Sequence, residues 1–145
     1  MIHPAPTTPI DPKVARGVLV EVLGATASVP GIAVIAFPNT NYQVHLRATE
    51  PITTPPGKRI LGVVHAEARR MDRVDTGGRY VEPVYGPPRR VQGSVVAVTA
   101  EHVVIHAGFP IHCRPTDPRQ SPEQFKPGDF LSFDVLPGAT FTPVA

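Results

Sequence analysis

Tryptophan is absent from this chain of 145 residues, cysteine occurs once, and lysine occurs only three times. A single cysteine excludes an internal disulfide framework and any zinc site built from cysteine alone, and it suits a reducing compartment. No apolar run approaches the roughly 20 residues of a membrane-spanning helix. The opening MIHPAPTTPIDPK lacks the basic-then-apolar pattern of a secretion signal. A cytoplasmic location without a membrane partner is therefore expected. Charge of one sign is also missing: 14 basic against 12 acidic residues leave +2, less than a dedicated duplex-DNA binder carries. There is no glycine-rich phosphate loop, no G-x-S-x-G elbow and no His-Glu-x-x-His. Neither an enzyme nor a cofactor is expected.

Proline and glycine are abundant, together 31 of the 145 residues. That is about a fifth, against roughly one eighth in average chains. Such punctuation breaks helices, because proline lacks an N–H and glycine is conformationally loose. Between these breaks the apolar residues alternate or form short runs, at 18–22, 34–37, 42–46, 60–66, 80–84, 91–98, 102–107, 111–114, 130–135 and 140–144. These are strand signals. The one helical signal, Ser121-Pro122-Glu123-Gln124-Phe125, is about a turn long.

Prolines at 4, 6, 9 and 12 make residues 1–13 an extended arm, placed to contact partner subunits or a second copy. The rest divides into two matching units, 14–87 and 88–145. Arg16-Gly17 with Val20 and Val22 matches Gln92-Gly93 with Val96 and Val98 at an offset of 76. Val44-His45-Leu46-Arg47 through Pro51 matches Ile111-His112-Cys113-Arg114 through Pro118 at an offset of 67. Pro56-Gly57 matches Pro127-Gly128, and Gly78 with Glu82-Pro83-Val84 matches Gly138 with Thr142-Pro143-Val144. Four blocks in one order predict an all-β chain of two internally homologous, five-stranded small barrels packed together.

Three strands, a loop or helical turn, then two strands is the order of the OB-type small barrel, which each unit resembles over residues 14–145. The first unit departs from that pattern. It has Ile52-Thr53-Thr54 where a helix would sit, and its fourth strand is over-long. Either feature also fits a continuous β sandwich.

The resemblance implies a ligand surface on the second and third strands and on the loop joining the fourth and fifth. Single-stranded nucleic acid needs a basic track and stacking rings there. Arg69, Arg70, Arg73 and Arg79 would contact phosphates, Tyr42 and Tyr80 would stack, and Arg47 and Arg114 would extend the track. A bland reading pairs Arg47 with Glu50 and Arg114 with Asp117 instead. A non-catalytic single-stranded nucleic acid binder is thus expected, with an assembly subunit of a shell, ring, filament or virion as the alternative.

Two other constellations are set aside. His102 and His106 share a strand face but stand roughly 13 Å apart, too far for a metal with bonds of about 2 Å. His112 and Cys113 point to opposite faces, leaving only His106 with His112 to converge. Asp75-Thr76-Gly77 resembles the catalytic triplet of retropepsin-like proteases, but Gly78-Arg79 follows it and Leu136-Pro137-Gly138 stands at the matching place. It reads as a hairpin turn.

Overall fold

Alternation becomes strand wherever every second side chain can be buried. In β1 (Ala15–Leu23), Ala15, Gly17 and Leu19 face inward while Arg16, Val18 and Val20 face out. The computed structural model describes residues 11–144, so most of the expected arm lies outside the described residues. At its end, the Lys13 and Val14 N–H groups donate to the Asp11 carboxylate (2.9 Å) and carbonyl (3.1 Å). The chain continues through β2 (Ile32–Ala36), β3 (Gln43–Ala48), β4 (Arg59–Ala68), β5 (Asp72–Arg73), β6 (Tyr80–Glu82) and β7 (Tyr85–Gly86). Then come β8 (Arg90–Val98), β9 (Val103–His106), β10 (Pro110–Pro115), a single 3-10 turn (Pro122–Gln124), β11 (Phe130–Asp134) and β12 (Thr140–Pro143). The fold is all-β, and the short helical signal is confined to that one turn.

A closed, mixed barrel of five strands is formed by β1, β2, β3, β12 and β4, with β4 returning to β1. Its order, with β3 and β12 parallel, is compatible with an OB-like barrel. Further strands form a second ring. There β8, β9 and β10 pair in series, β10 runs parallel to the end of β4, and β11 returns to β8. The bridge Ala68–Val135, the Arg69 N–H bond to the Asp134 carbonyl (2.9 Å) and the β5–β11 pairing join β11 to the chain just after β4.

The last strand of each ring is therefore supplied from the other end of the molecule. This explains the over-long fourth strand: β4 has 10 residues because its first half closes the first ring and its second half serves the second. It also corrects the match of Glu82-Pro83-Val84 with Thr142-Pro143-Val144. Tyr80–Glu82 pairs with β8, and Tyr85–Gly86 runs beside β3. The partner of β3 that corresponds to the end of β4 is β12.

Pair for pair, the two rings share one register. Gly17 lies opposite Ile60 as Gly93 lies opposite Leu131, and Val34 opposite His45 as Val104 opposite His112. Arg47 opposite Thr140 repeats as Arg114 opposite Glu67, and Phe141 opposite Val64 repeats as Ala68 opposite Val135. Both first strands are irregular at the same place, between Leu19 and Glu21 and between Val95 and Ala97. The matched glycines have matched reasons. A Cβ on Gly17 would come within 2.7 Å of the Ala36 carbonyl oxygen, and one on Gly93 would collide with the His106 carbonyl oxygen. Gly57 and Gly128 both adopt positive φ (85° and 96°), and their N–H groups donate to the Leu19 (2.7 Å) and Val95 (2.9 Å) carbonyls.

One apolar core runs through both rings. Within it, large and small residues trade places. In the first ring Gly62 leaves room for the ring of Phe141, and in the second the corresponding positions hold Phe133 and Ala68. Both phenylalanines are fully buried, so each ring holds one large aromatic side chain at this level.

Candidate functional site

Of the two tyrosines expected to stack on bases, neither presents a free face with a free hydroxyl. Tyr42 is half-buried, its hydroxyl accepts the Val81 N–H (3.1 Å), and its edge meets Phe109. Tyr80 is half-buried on β6, and its hydroxyl accepts from Arg90 Nε (3.4 Å). Both rings therefore hold the turn 74–80 and the strand after it in place.

The arginines divide. Arg70 pairs with Asp72 (3.0 Å) on the open surface. Arg73 donates to the Gln124 carbonyl, lies 3.5 Å from the Asp129 carboxylate and covers the Phe125 ring at 5.0 Å. Arg114 pairs with Glu67, its neighbour across the β4–β10 ladder, rather than with Asp117. Asp117 bonds Arg119 instead (2.9 Å), whose guanidinium holds the carboxyl down at about 2. Arg90 binds Asp134 (2.8 Å) and Ser132 (2.8 Å). Arg47 and Arg69 are exposed and, among the described residues, make no ion pair, so the Arg47–Glu50 pairing is not formed. Arg79 turns away from the others and donates to His106 Nδ1 (3.3 Å). Of the six arginines expected to form a track, Arg70, Arg73 and Arg114 thus lie beside acids, and Arg47, Arg69 and Arg79 make no ion pair among the described residues.

The histidines are rearranged more than the arginines. His106 faces Arg79, not His112. His112 instead meets His65 of β4 and His102, with ring centroids 5.2 Å and 6.1 Å away, and His65 and His102 are 5.0 Å apart. His112 Nε2–H donates to the Lys13 carbonyl (2.9 Å), tying the segment before β1 to the second ring. Burial lowers the pKa of His65 and of His102; His112 and His102 lower that of His65 further, and for His102 His112 does the same while Glu101 opposes it. Among the described residues no group of three or more His, Cys, Asp or Glu is arranged to hold a metal ion. Burial pushes the Cys113 thiol pKa far up, which leaves it a poor nucleophile. Asp75 and Gly77 are exposed in the loop between β5 and β6.

The faces that the OB resemblance marks for ligands are partly occupied by the chain itself. β7 lies along β3, and Tyr85 packs edge-on against His45 (4.5 Å between centroids). What is left open is the outside of the first ring. Val18, Val20, Leu23, Ile32 and Leu61 are exposed on its strands. Val144 is exposed just beyond β12, its N–H bonded to the Leu61 carbonyl (3.0 Å). Arginines alternate with them across the ladders, Arg59 opposite Val18, Arg16 opposite Leu61 and Arg47 opposite Ile32. Strand alternation alone does not reveal this face, because its inner and outer positions are both apolar.

No family profile matches the chain, and no curated protein or solved structure matches it either. The site must be read from its own chemistry.

Proposed function

We propose that this protein is a non-catalytic assembly subunit that associates through the outside of its first ring. One observation carries the reading. Among the described residues, no exposed large hydrophobic residue lies on β8, β9, β10 or β11, whereas six lie on or just beyond the strands of the first ring. Contiguous apolar surface on one side of a small protein marks an interaction site. The alternating arginines suit it further, since interfaces are rich in arginine and poor in lysine. The chain has 11 arginines and three lysines.

Single-stranded nucleic acid binding is the less supported reading. Exposed Arg47 and Arg69 favour it, while the engaged hydroxyls of Tyr42 and Tyr80 and the acids beside Arg70, Arg73 and Arg114 count against it. The shared register and the shared irregularity support a tandem duplication of one OB-like unit, with its fifth strands exchanged. Duplication also supplies a reason for the asymmetry: once one outer face is committed to association, its copy is free to become polar.

Solution mass tests the reading. By sedimentation at about 100 μM the full chain is expected to form a defined oligomer. The doubly substituted Val18→Glu, Leu61→Glu protein is expected to sediment as a folded monomer. A wild-type monomer at that concentration overturns the proposal. So does a mass increase that appears only when a mixed-sequence oligonucleotide is added, which would favour the nucleic-acid reading instead.

A further inference from the structure

A cleft of about 450 Å³ lies where the two rings meet, outside the apolar face except for Arg16, which borders both. It is within the size range of small-ligand sites. Arg16 enters it from β1, Arg79 from the turn before β6, and His106 from the end of β9. Asn39 and Thr40 supply a polar edge, and Phe109 contributes an apolar floor.

Each part is held in place. The Gly78 carbonyl, one residue before Arg79, accepts from the side chain of buried Gln92 (2.8 Å). Thr40 Oγ1 donates to the Phe37 carbonyl (2.8 Å) and accepts the Tyr42 N–H (3.2 Å). The Phe37 and Phe109 rings stack at 3.8 Å, which locks the β2–β3 turn against the β9–β10 turn. Such preorganisation reduces the entropy lost on binding.

The charges facing the cleft are two guanidinium groups, the His106 imidazole and the carboxylate of Asp11. Neither Arg16 nor Arg79 forms an ion pair among the described residues, although five other arginines do. Asp11 Oδ1 is already accepting the Lys13 N–H. The cleft therefore holds two guanidinium groups against one carboxylate, an excess of positive charge. We infer that it is a binding site for a phosphate group, with Arg16 and Arg79 donating to its oxygens and His106 adding a third positive charge when protonated. Guanidinium forks suit tetrahedral oxyanions. Arg79 already donates to His106 Nδ1, so the two side chains converge before any ligand arrives.

Burial and the Arg79 charge lower the pKa of His106. Its contribution therefore grows only as pH falls below the ordinary histidine value, about 6.5. Sulfate separates this effect from titration of the ligand, because its charge is constant over that range. Calorimetric titration of the full chain with sulfate is expected to show tighter binding at pH 5 than at pH 8. Inorganic phosphate at pH 7.5 is expected to bind to the wild type and to lose about tenfold or more with Arg79→Gln or Arg16→Gln. Arg119→Gln, whose guanidinium pairs with Asp117 elsewhere, is expected to leave binding unchanged.

A decathymidylate arm distinguishes the source of the phosphate. Binding much tighter than inorganic phosphate, with the same loss in Arg79→Gln, assigns the cleft to a polynucleotide backbone. Binding no tighter assigns it to a small phosphorylated molecule. Absence of phosphate binding at millimolar concentration, or equal losses in Arg119→Gln and Arg79→Gln, overturns the inference. Sulfate affinity that does not change with pH overturns the part given to His106.

Discussion

The two rings are paired strand for strand in the same register, yet their outer surfaces have opposite character. On the first, Val18, Ile32 and Leu61 are exposed beside Arg59, Arg47 and Arg16. On the second, the corresponding positions are Ser94, His102 and Ser132, with Ser94 opposite Phe130 and Ser132 opposite Gln92. Ser132 and Gln92 are buried under bonds from Arg90 and to Gly78. Identical ladders can thus carry an apolar face or a hydrogen-bonded one. Backbone pairing constrains only the inward half of each strand, so the outward half is free to specialise.

The inner halves, by contrast, must fill the same volume. Because Phe141 with Gly62 in the first ring stands for Ala68 with Phe133 in the second, each phenylalanine is replaceable only through its partner position. Phe141→Ala and Phe133→Ala are each expected to cost about 3–5 kcal/mol in chemical denaturation. Adding Gly62→Phe to Phe141→Ala gives the first ring the second ring's arrangement, and it is expected to recover at least about 1 kcal/mol through coupling between the two positions. A double variant less stable than Phe141→Ala alone would break the equivalence of the rings.

The glycine pair gives a smaller, matched effect. A methyl on Gly17 or Gly93 forces β2 or β9 outward. Overpacking of this kind costs about 1–3 kcal/mol. Gly17→Ala and Gly93→Ala are expected to fall within that range and to lie close to each other by thermal melting. A cost for only one of them would show that the close strand crossing matters in one ring alone.

Much of this was legible from residues. Alternation located the strands, Gly17 with Gly93 and Gly57 with Gly128 marked the shared crossings and turns, and the length of β4 flagged an irregularity. Which distant strand completes each ring was not legible. The ladder place that Thr140-Phe141 holds beside β3 is held beside β10 by Glu67-Ala68, a pair with no side-chain resemblance to it. Glu82-Pro83-Val84 resembles the end of the chain more closely while pairing elsewhere. Local pattern cannot choose between candidates that differ only in which distant strand they meet. The site residues were obscured for the same reason. Arg114 finds its acid 47 positions away, and the histidine cluster draws on β4, β10 and the residue before β9.

That cluster makes the second ring sensitive to pH where the first has no counterpart. Counted along the chain from the matched ladder pairs, the positions corresponding to His65 and His102 are Gly138 and Ile32. Folded His65 and His102 titrate below the unfolded value, about 6.5. The unfolded chain therefore binds more protons between the folded and unfolded values, and stability rises with pH across that window. It is complete above pH ~6.5 and is lost as pH falls toward the folded values. Denaturation midpoints at pH 5, 6 and 7.5 are expected to show this slope, with a shallower one in His65→Gln. An unchanged slope would mean that His65 does not titrate below its unfolded value in the folded protein.

The smallest difference concerns the repeated arginine. Arg114 and Glu67 are each half-exposed, so their pairing is screened by water. Exposed pairs of this kind contribute little to stability. A double-mutant cycle with Arg114→Gln and Glu67→Gln is expected to return a small coupling that shrinks as salt rises. Arg47 stands opposite Thr140 where Arg114 stands opposite Glu67, so Arg47→Gln has no ion pair to lose among the described residues. Its effect on stability is expected to be near zero, while its effect on association should be measurable, since Arg47 lies beside Ile32 on the apolar face. If Arg47→Gln destabilises the monomer as much as Arg114→Gln does, both arginines act through their aliphatic stems. The contrast between a paired and an unpaired arginine would then have no energetic content.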